Sequence, residues 1–97
     1  MYQLRYMPPA RKYFKKLKDK KLISSYTKAL NEIAADPYSG EAKTGDLAGI
    51  YCKDVYSNKT NYEIAYRIIE DGEQAVIIIL TGTRENFYQE LKRYMLT

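Results

Sequence analysis

The fold is decided by residues 61–88. Residues 61–68 have the sequence NYEIAYRI, and their side chains alternate with a period of two, which is typical of a β-strand. Residues 76–80, VIIIL, are apolar throughout and predict a strand buried on both faces, the central strand of a sheet. Residues 82–88, GTRENFY, follow after Thr81 and open a short predicted helix. An arginine is thereby placed where a buried strand reaches the surface.

The first of these strands has two distinct faces. One face is apolar or aromatic, and we expect it to pack against helices; it carries Tyr62, Ile64, Tyr66 and Ile68. The other face is expected to line an open side of the sheet; it carries Glu63, Ala65, Arg67 and Ile69. The preceding strand, residues 50–56, places Cys52 and Asp54 on one face and Lys53 on the other. The pattern leaves open which of those faces is exposed.

The upstream sequence predicts a strand and two helices. Residues 2–6 alternate weakly, and Pro8-Pro9 ends that strand and starts a helix. Apolar residues recur at helical spacing in this helix, and again in a second one that follows a break at residues 19–21. The apolar residues are Ala10, Tyr13, Phe14 and Leu17 in the first helix, and Leu22 or Ile23, Tyr26, Leu30, Ile33 and Ala34 in the second. Asp36-Pro37 stops the second helix.

The remaining segments complete the order of elements. Residues 37–49 are predicted to be a loop, and residues 57–60 and Asp71-Gly72 have the composition of turns. The order is β-α-α-β-β-β-α. We therefore expect an α+β fold in which a small twisted antiparallel sheet of about four strands carries an N-terminal helix hairpin and a short C-terminal helix. At 97 residues, the chain is expected to form one domain, 1–97.

Composition excludes several kinds of site. The chain has no histidine, so the commonest general base and metal ligand is absent. Its single cysteine, Cys52, cannot form an internal disulfide or a cysteine-rich metal site. We find neither a membrane span nor a signal peptide, and no metal-ligand spacing. A cytoplasmic protein without a cofactor is expected.

The basic residues are concentrated at the N-terminus. Residues 1–21 contain eight Lys and Arg side chains and one acidic residue, Asp19, whereas the rest of the chain holds eight basic and eleven acidic residues. A basic end of this kind attracts polyanions, either a nucleic acid or an acidic partner. The alternative is a solvated helix face whose lysines serve solubility.

Arg84 is the first candidate for chemistry. Helical spacing would place Arg84, Tyr88 and Lys92 in one stripe. An arginine fork can bind a phosphate and stabilise its charge, and a tyrosine can pass a proton or stack on a base. The alternative is that Arg84 pairs with Glu63 or Glu85 and that Tyr88 packs at the edge of the core.

Cutting RNA without a metal requires a base for the ribose 2′-hydroxyl, an acid for the leaving oxygen and a cation for the phosphate. Without histidine, the candidates for the base and the acid are Glu63, Asp54, Tyr88 and the lysines. A glutamate beside an arginine can act as the base, with a pKa lowered by that partner.

The order of elements and several of their residues resemble the RelE/ParE family of bacterial toxins. The resemblance covers the basic helix hairpin, residues 43–51 (KTGDLAGIY), residues 62–66, the apolar strand and Arg84 to Tyr88. Many members of that family cut mRNA on the ribosome, and some poison DNA gyrase. The resemblance also implies a cognate antitoxin that wraps the toxin in a hetero-oligomer and covers its active face.

The resemblance implies a set of site residues. Arg84 and Tyr88 match the C-terminal arginine and tyrosine of RelE-type ribonucleases. Glu63, which is a candidate by elimination and not by resemblance, completes the expected catalytic set. The residues expected to bind RNA are Lys12, Lys15, Lys16, Lys43, Lys53, Arg67 and Lys92. The chain departs from the family where basic residues of the middle strands fall on Cys52, Asp54 and Glu63, and it lacks the histidine of YoeB-like relatives.

The expected function is that of a type II toxin, a metal-independent and ribosome-dependent mRNA endoribonuclease that inhibits translation. Two alternatives follow from the altered residues. One is a ParE-like gyrase inhibitor without nuclease chemistry. The other is a catalytically weakened toxin that acts mainly as the partner of its antitoxin. Ribosome and mRNA are the expected targets of the endoribonuclease, and DNA gyrase is the expected target of the ParE-like inhibitor.

Overall fold

The computed structural model describes residues 1–96. Its strands are β1 (Gln3–Tyr6), β2 (Glu41–Ala42), β3 (Tyr51–Ser57), β4 (Thr60–Ile69) and β5 (Ala75–Thr83). Its α-helices are α1 (Pro8–Lys16), α2 (Lys20–Ala35) and α3 (Phe87–Met95), and two short 3₁₀ helices cover Pro37–Ser39 and Gly45–Leu47. Within the described residues, no helix is both long enough and apolar enough to cross a bilayer.

The strands form one sheet in the order β1-β5-β4-β3-β2. All neighbours are antiparallel except β1 and β5, which run parallel. The predicted α+β class with its helix hairpin and C-terminal helix is confirmed. The sheet differs from the expectation in its fifth strand, the two-residue β2, and in the parallel direction of β1. The apolar strand β5 lies inside the sheet as predicted, but β4 is the middle strand.

Helices α1 and α2 pack on one face of the sheet. Ile64 and Tyr66 of β4 are fully buried in the cluster that also contains Tyr26 and Ile33 of α2. The predicted inward face of this strand is therefore confirmed. Of the two alternatives for the first turn of α2, Leu22 is the buried residue, while Ile23 is 40% exposed.

Helix α3 covers the opposite face near the C-terminal half of β5. Phe87 and Leu91 are buried there in a second cluster with Cys52, Ala65 and Ile79. The expectation that this face is open is wrong for Glu63 and Ala65, which are 1% and 0% exposed. The apolar side of α3 needs a surface on which to be buried, and this face of the sheet provides it.

The hairpin between β3 and β4 turns through Asn58 and Lys59. Both have positive φ angles, 49° and 63°, as a tight two-residue hairpin turn requires. The turn pairs Ser57 with Thr60 and, three residues further along each strand, Asp54 with Glu63. Two acidic side chains are thereby placed side by side on the face that α3 covers.

Candidate functional site

Arg84 lies in the connection between β5 and α3. Its backbone N–H donates to the carbonyl oxygen of Asn61 at 2.9 Å, which fixes the connection against β4. Asn86 then takes a left-handed conformation with φ 62°, and α3 begins only at Phe87. The predicted helical stripe from Arg84 to Tyr88 is therefore wrong, because a left-handed residue interrupts it. Tyr88 and Lys92 do lie one turn apart within α3.

The Arg84 side chain is held by two carboxylates. Its Nε and Nη2 atoms donate to Oε2 of Glu63 at 2.9 and 2.8 Å. Nη2 also donates to Oδ1 of Asp54 at 2.9 Å. The Tyr88 hydroxyl donates to the other oxygen of Glu63, Oε1, at 3.3 Å. Arg84, Tyr88 and Glu63 are thus brought together, and the alternative in which Arg84 pairs with Glu63 is the observed one.

The four side chains differ sharply in their exposure. The Glu63 side chain is 1% exposed, whereas those of Arg84 and Asp54 are 52% and 66% exposed. Tyr88 is half-buried against Phe87, with ring centroids 5.5 Å apart. The site is therefore a buried carboxylate covered by an accessible guanidinium.

Burial raises the pKa of Glu63, and the neighbouring Asp54 raises it further, while Arg84 opposes both effects. Arg84 lowers this pKa as expected, but the loss of hydration outweighs the ion pair, so the pKa of Glu63 is raised overall. Hydrogen bonding with Glu63 and then with Arg84 lowers the pKa of Asp54. The pKa values of the two carboxyl groups are thus shifted in opposite directions, and the exposed Asp54 loses its proton more readily than Glu63.

Lys43 adjoins the site from the loop after β2. Its Nζ atom lies 4.5 Å from the centroid of the Tyr88 ring, and it forms an ion pair with Glu41. Burial raises the pKa of Tyr88, and Lys43 counteracts part of that rise. Cys52 is buried next to this group, and burial raises the pKa of its thiol to about 12. This thiol is accordingly a packing group and not a nucleophile.

Of the other residues predicted to bind RNA, Lys53 lines a cavity together with Arg84, whereas the three lysines of α1 lie across the sheet. Lys53 faces α2 and pairs with Glu32 at 3.4 Å. Lys12, Lys15 and Lys16 surround a surface depression on α1 together with Lys18. Because α1 packs on the other face of the sheet, these lysines lie across it from Glu63. Arg67 and Lys92 are exposed.

Asp54 as a partner of Arg84 is the feature that sequence reasoning missed. The signal was present in the two-residue turn, since pairing Ser57 with Thr60 fixes Asp54 opposite Glu63. Within residues 1–96, no three His, Cys, Asp or Glu side chains are grouped so that they could hold a metal ion. The arrangement offers a cation for an oxyanion, a carboxylate with a raised pKa and a tyrosine hydroxyl in mutual contact.

Comparison with known proteins gives a family and a fold. Residues 4–92 match the family described as ParE-like toxin of type II bacterial toxin-antitoxin system. The chain is similar to the free structure of a double arginine-to-alanine variant of the E. coli toxin RelE, with 24% identity, a TM-score of 0.68 and coverage of 95% of this chain and 96% of that one. The same variant in complex with an antitoxin RelBc peptide gives 22% identity, a TM-score of 0.66 and 93% coverage of each chain. No curated protein matches the sequence.

Proposed function

The chain belongs to the ParE-like toxins of type II bacterial toxin-antitoxin systems, and from that premise we propose that it is a metal-independent endoribonuclease that cuts mRNA on the ribosome. The observation that carries this proposal is the contact of an accessible arginine with a buried carboxylate whose pKa is raised. A general base works best when its pKa is close to the working pH, and burial shifts Glu63 in that direction.

Each site residue has a role in this proposal. Glu63 takes the proton of the ribose 2′-hydroxyl, and the resulting oxygen attacks the adjacent phosphorus. Arg84 binds the phosphate and stabilises the added negative charge. The bond to the 5′-oxygen breaks, and that oxygen receives a proton from Tyr88. The products are a 2′,3′-cyclic phosphate and a 5′-hydroxyl.

The basic residues supply contacts to RNA in the same proposal. Lys43 lies nearest the site, above the Tyr88 ring. Lys12, Lys15 and Lys16 on α1 bind a second stretch of phosphate backbone in this proposal, which is supported by their position on the other side of the sheet. Weaker contacts to RNA come, in this proposal, from Lys53, Arg67 and Lys92. A ribosome, which presents both mRNA and ribosomal RNA, is the target that suits two separate basic surfaces.

A second candidate is a ParE-like inhibitor of DNA gyrase without nuclease chemistry. The observation favouring it is that Asp54 and Glu63 together neutralise Arg84, whose positive charge a phosphate would need. Cys52 adds no basic group to this face. A catalytically weakened toxin that mainly serves its antitoxin is the remaining alternative and predicts no growth defect.

We propose a cognate antitoxin as the partner, in a hetero-oligomer formed in the cytoplasm. The family is defined by toxin-antitoxin systems, and one similar structure was solved with an antitoxin peptide bound. The exposed lysines of α1 favour an acidic segment that folds on binding.

The test is induced expression without antitoxin, with primer extension on abundant mRNAs and an SOS reporter in parallel. We expect codon-registered breaks that disappear in Arg84→Ala and persist in Arg5→Ala. Arg5 is the matched control because it is another half-exposed arginine paired with a glutamate, Glu73. Intact transcripts with SOS induction would instead assign the gyrase function. Breaks that persist in Arg84→Ala would overturn the role of this site.

A further inference from the structure

Arg84 has one fixed and one exchangeable carboxylate partner. Both carboxylates accept from the same atom, Nη2, at 2.8 Å from Glu63 and 2.9 Å from Asp54. Glu63 is 1% exposed and also accepts a hydrogen bond from Tyr88, so it cannot leave without breaking up the buried cluster. The Asp54 side chain is 66% exposed and can rotate into solvent.

The surroundings of Asp54 leave access for a ligand. Strand β2 pairs only with Tyr51 and Cys52 of β3, so Asp54 lies beyond the last residue that β2 pairs with. A cavity of about 310 Å³ opens on this side of the guanidinium, and its lining is mostly polar and includes Ser39, Lys53, Asp54 and Arg84. An anion entering this cavity meets Arg84 from the side on which Asp54 is bound.

We infer that Asp54 occupies the position of a phosphate on Arg84 and competes with nucleic acid for it. A carboxylate and a phosphate offer the guanidinium the same kind of charged oxygen acceptor. Asp54 is thus a specificity-determining residue that weakens binding of any single phosphate. A substrate displaces it only when other contacts, such as those to lysines, hold the RNA in place.

This inference rests on the proposed function only for its choice of RNA as the ligand. It predicts that the free chain binds short RNA weakly and that removal of the Asp54 charge strengthens binding. An exposed ion pair is typically worth about 0.2–1 kcal/mol, so Asp54→Asn should raise the affinity by a factor of roughly 1.4 to 5. Because one more phosphate is then neutralised, the salt dependence of binding should steepen by about 0.7 in the logarithmic slope for a single strand.

The experiment measures binding of a fluorescein-labelled 2′-O-methyl RNA oligonucleotide, whose blocked hydroxyls prevent cleavage. Asp54→Asn is compared with Asp46→Asn, which changes the net charge equally at an exposed acid in the Gly45–Leu47 turn. Asp54→Glu, which keeps the carboxylate, should retain the weak binding. The effect of Asp54→Asn should vanish in an Arg84→Ala background, because the two residues act on one atom.

Equal gains in RNA affinity in Asp54→Asn and Asp46→Asn would overturn the inference, since the change in net charge alone would then explain both gains. So would a gain that survives in the Arg84→Ala background. Thermal melts of each variant verify that the chain is folded. Failure of the proposed function is distinguishable, because a protein that cuts no mRNA can still show the Asp54 effect on RNA binding. Conversely, mRNA cleavage with no Asp54 effect retains the function and refutes the competition.

Discussion

At the scale of single residues, the decisive group is the carboxylate of Glu63. The strand pattern placed Glu63 on one face together with Ala65, but not under a helix. Its burial beneath α3 makes its charge costly; hydrogen bonds from Arg84 and Tyr88 offset part of that cost, whereas the neighbouring Asp54 adds to it. The role proposed for Glu63 depends on the balance between its burial and its charged neighbours. The alternation of residues along a strand does not predict that balance.

Glu63→Gln should change the pH dependence of stability in a definite direction. The pKa of Glu63 in the folded chain lies above its ordinary value of 4.5, so the folded state holds this proton more tightly than the unfolded state. Its contribution to stability is therefore present at low pH and is lost as the pH rises through the folded pKa. The free energy of unfolding of the parent, minus that of Glu63→Gln, should fall as the pH rises above the ordinary value of 4.5.

Urea unfolding at several pH values provides this measurement. Glu73→Gln is the control, since Glu73 pairs with Arg5 but its side chain is 45% exposed. A difference that rises with pH would show that Arg84 outweighs burial and that the pKa of Glu63 is lowered.

At the scale of elements, the start of α2 depends on Asp19. Its carboxylate accepts hydrogen bonds from the backbone N–H groups of Lys21 and Leu22, at 3.0 and 3.2 Å. The break predicted at residues 19–21 lies instead at residues 17–19, with Asp19 as the cap, and Lys20 and Lys21 already belong to the helix. A cap of this kind satisfies donors that the helix leaves free.

Asp19→Ala should lower the free energy of unfolding by about 1 kcal/mol, because two backbone donors lose their acceptor. Urea unfolding measures the loss. Asp46→Ala removes another exposed charge, from the short 3₁₀ helix Gly45–Leu47, where no such cap is observed, and should have a smaller effect. Equal effects of the two substitutions would contradict the capping role. Cleavage activity should be unchanged in both variants, since neither residue contacts Arg84.

Helix α3 is present as the sequence pattern predicts, but it begins later in the chain. Its apolar residues Phe87 and Leu91 have the expected spacing and are buried. Its start is later than predicted because Asn86 adopts the left-handed conformation, which asparagine tolerates better than most residues. Arg84 therefore lies in the connection between β5 and α3 and not in the predicted helix, although its predicted pairing with Glu63 is observed.

At the scale of the whole molecule, the sheet separates two surfaces. Helices α1 and α2 with their lysines cover one face, and α3 with Arg84 and Glu63 lies on the other. Periodicity predicted both helices of the hairpin and the strand faces because each depends on local spacing. The parallel pairing of β1 with β5 joins residues about seventy positions apart, such as Leu4 and Val76, and no local pattern encodes it.

The double substitution Lys15→Gln and Lys16→Gln should weaken ribosome binding in a salt-dependent manner. Each lost phosphate contact lowers the slope of affinity against salt by roughly 0.7–0.9. Sedimentation with ribosomes at several salt concentrations measures this slope. Lys28→Gln with Lys59→Gln is the control of equal charge, since both lysines are exposed and lie outside α1. Equal losses in the two double variants would show that only net charge matters.

The central claim is tested most directly by incubating the purified chain with ribosomes programmed with one defined mRNA. The account predicts cleavage at a fixed position in the ribosomal A site, with a 2′,3′-cyclic phosphate end. It predicts that Arg84→Ala loses this cleavage while Arg5→Ala retains it. Intact mRNA with the folded parent chain, or equal cleavage by Arg84→Ala, would contradict the account.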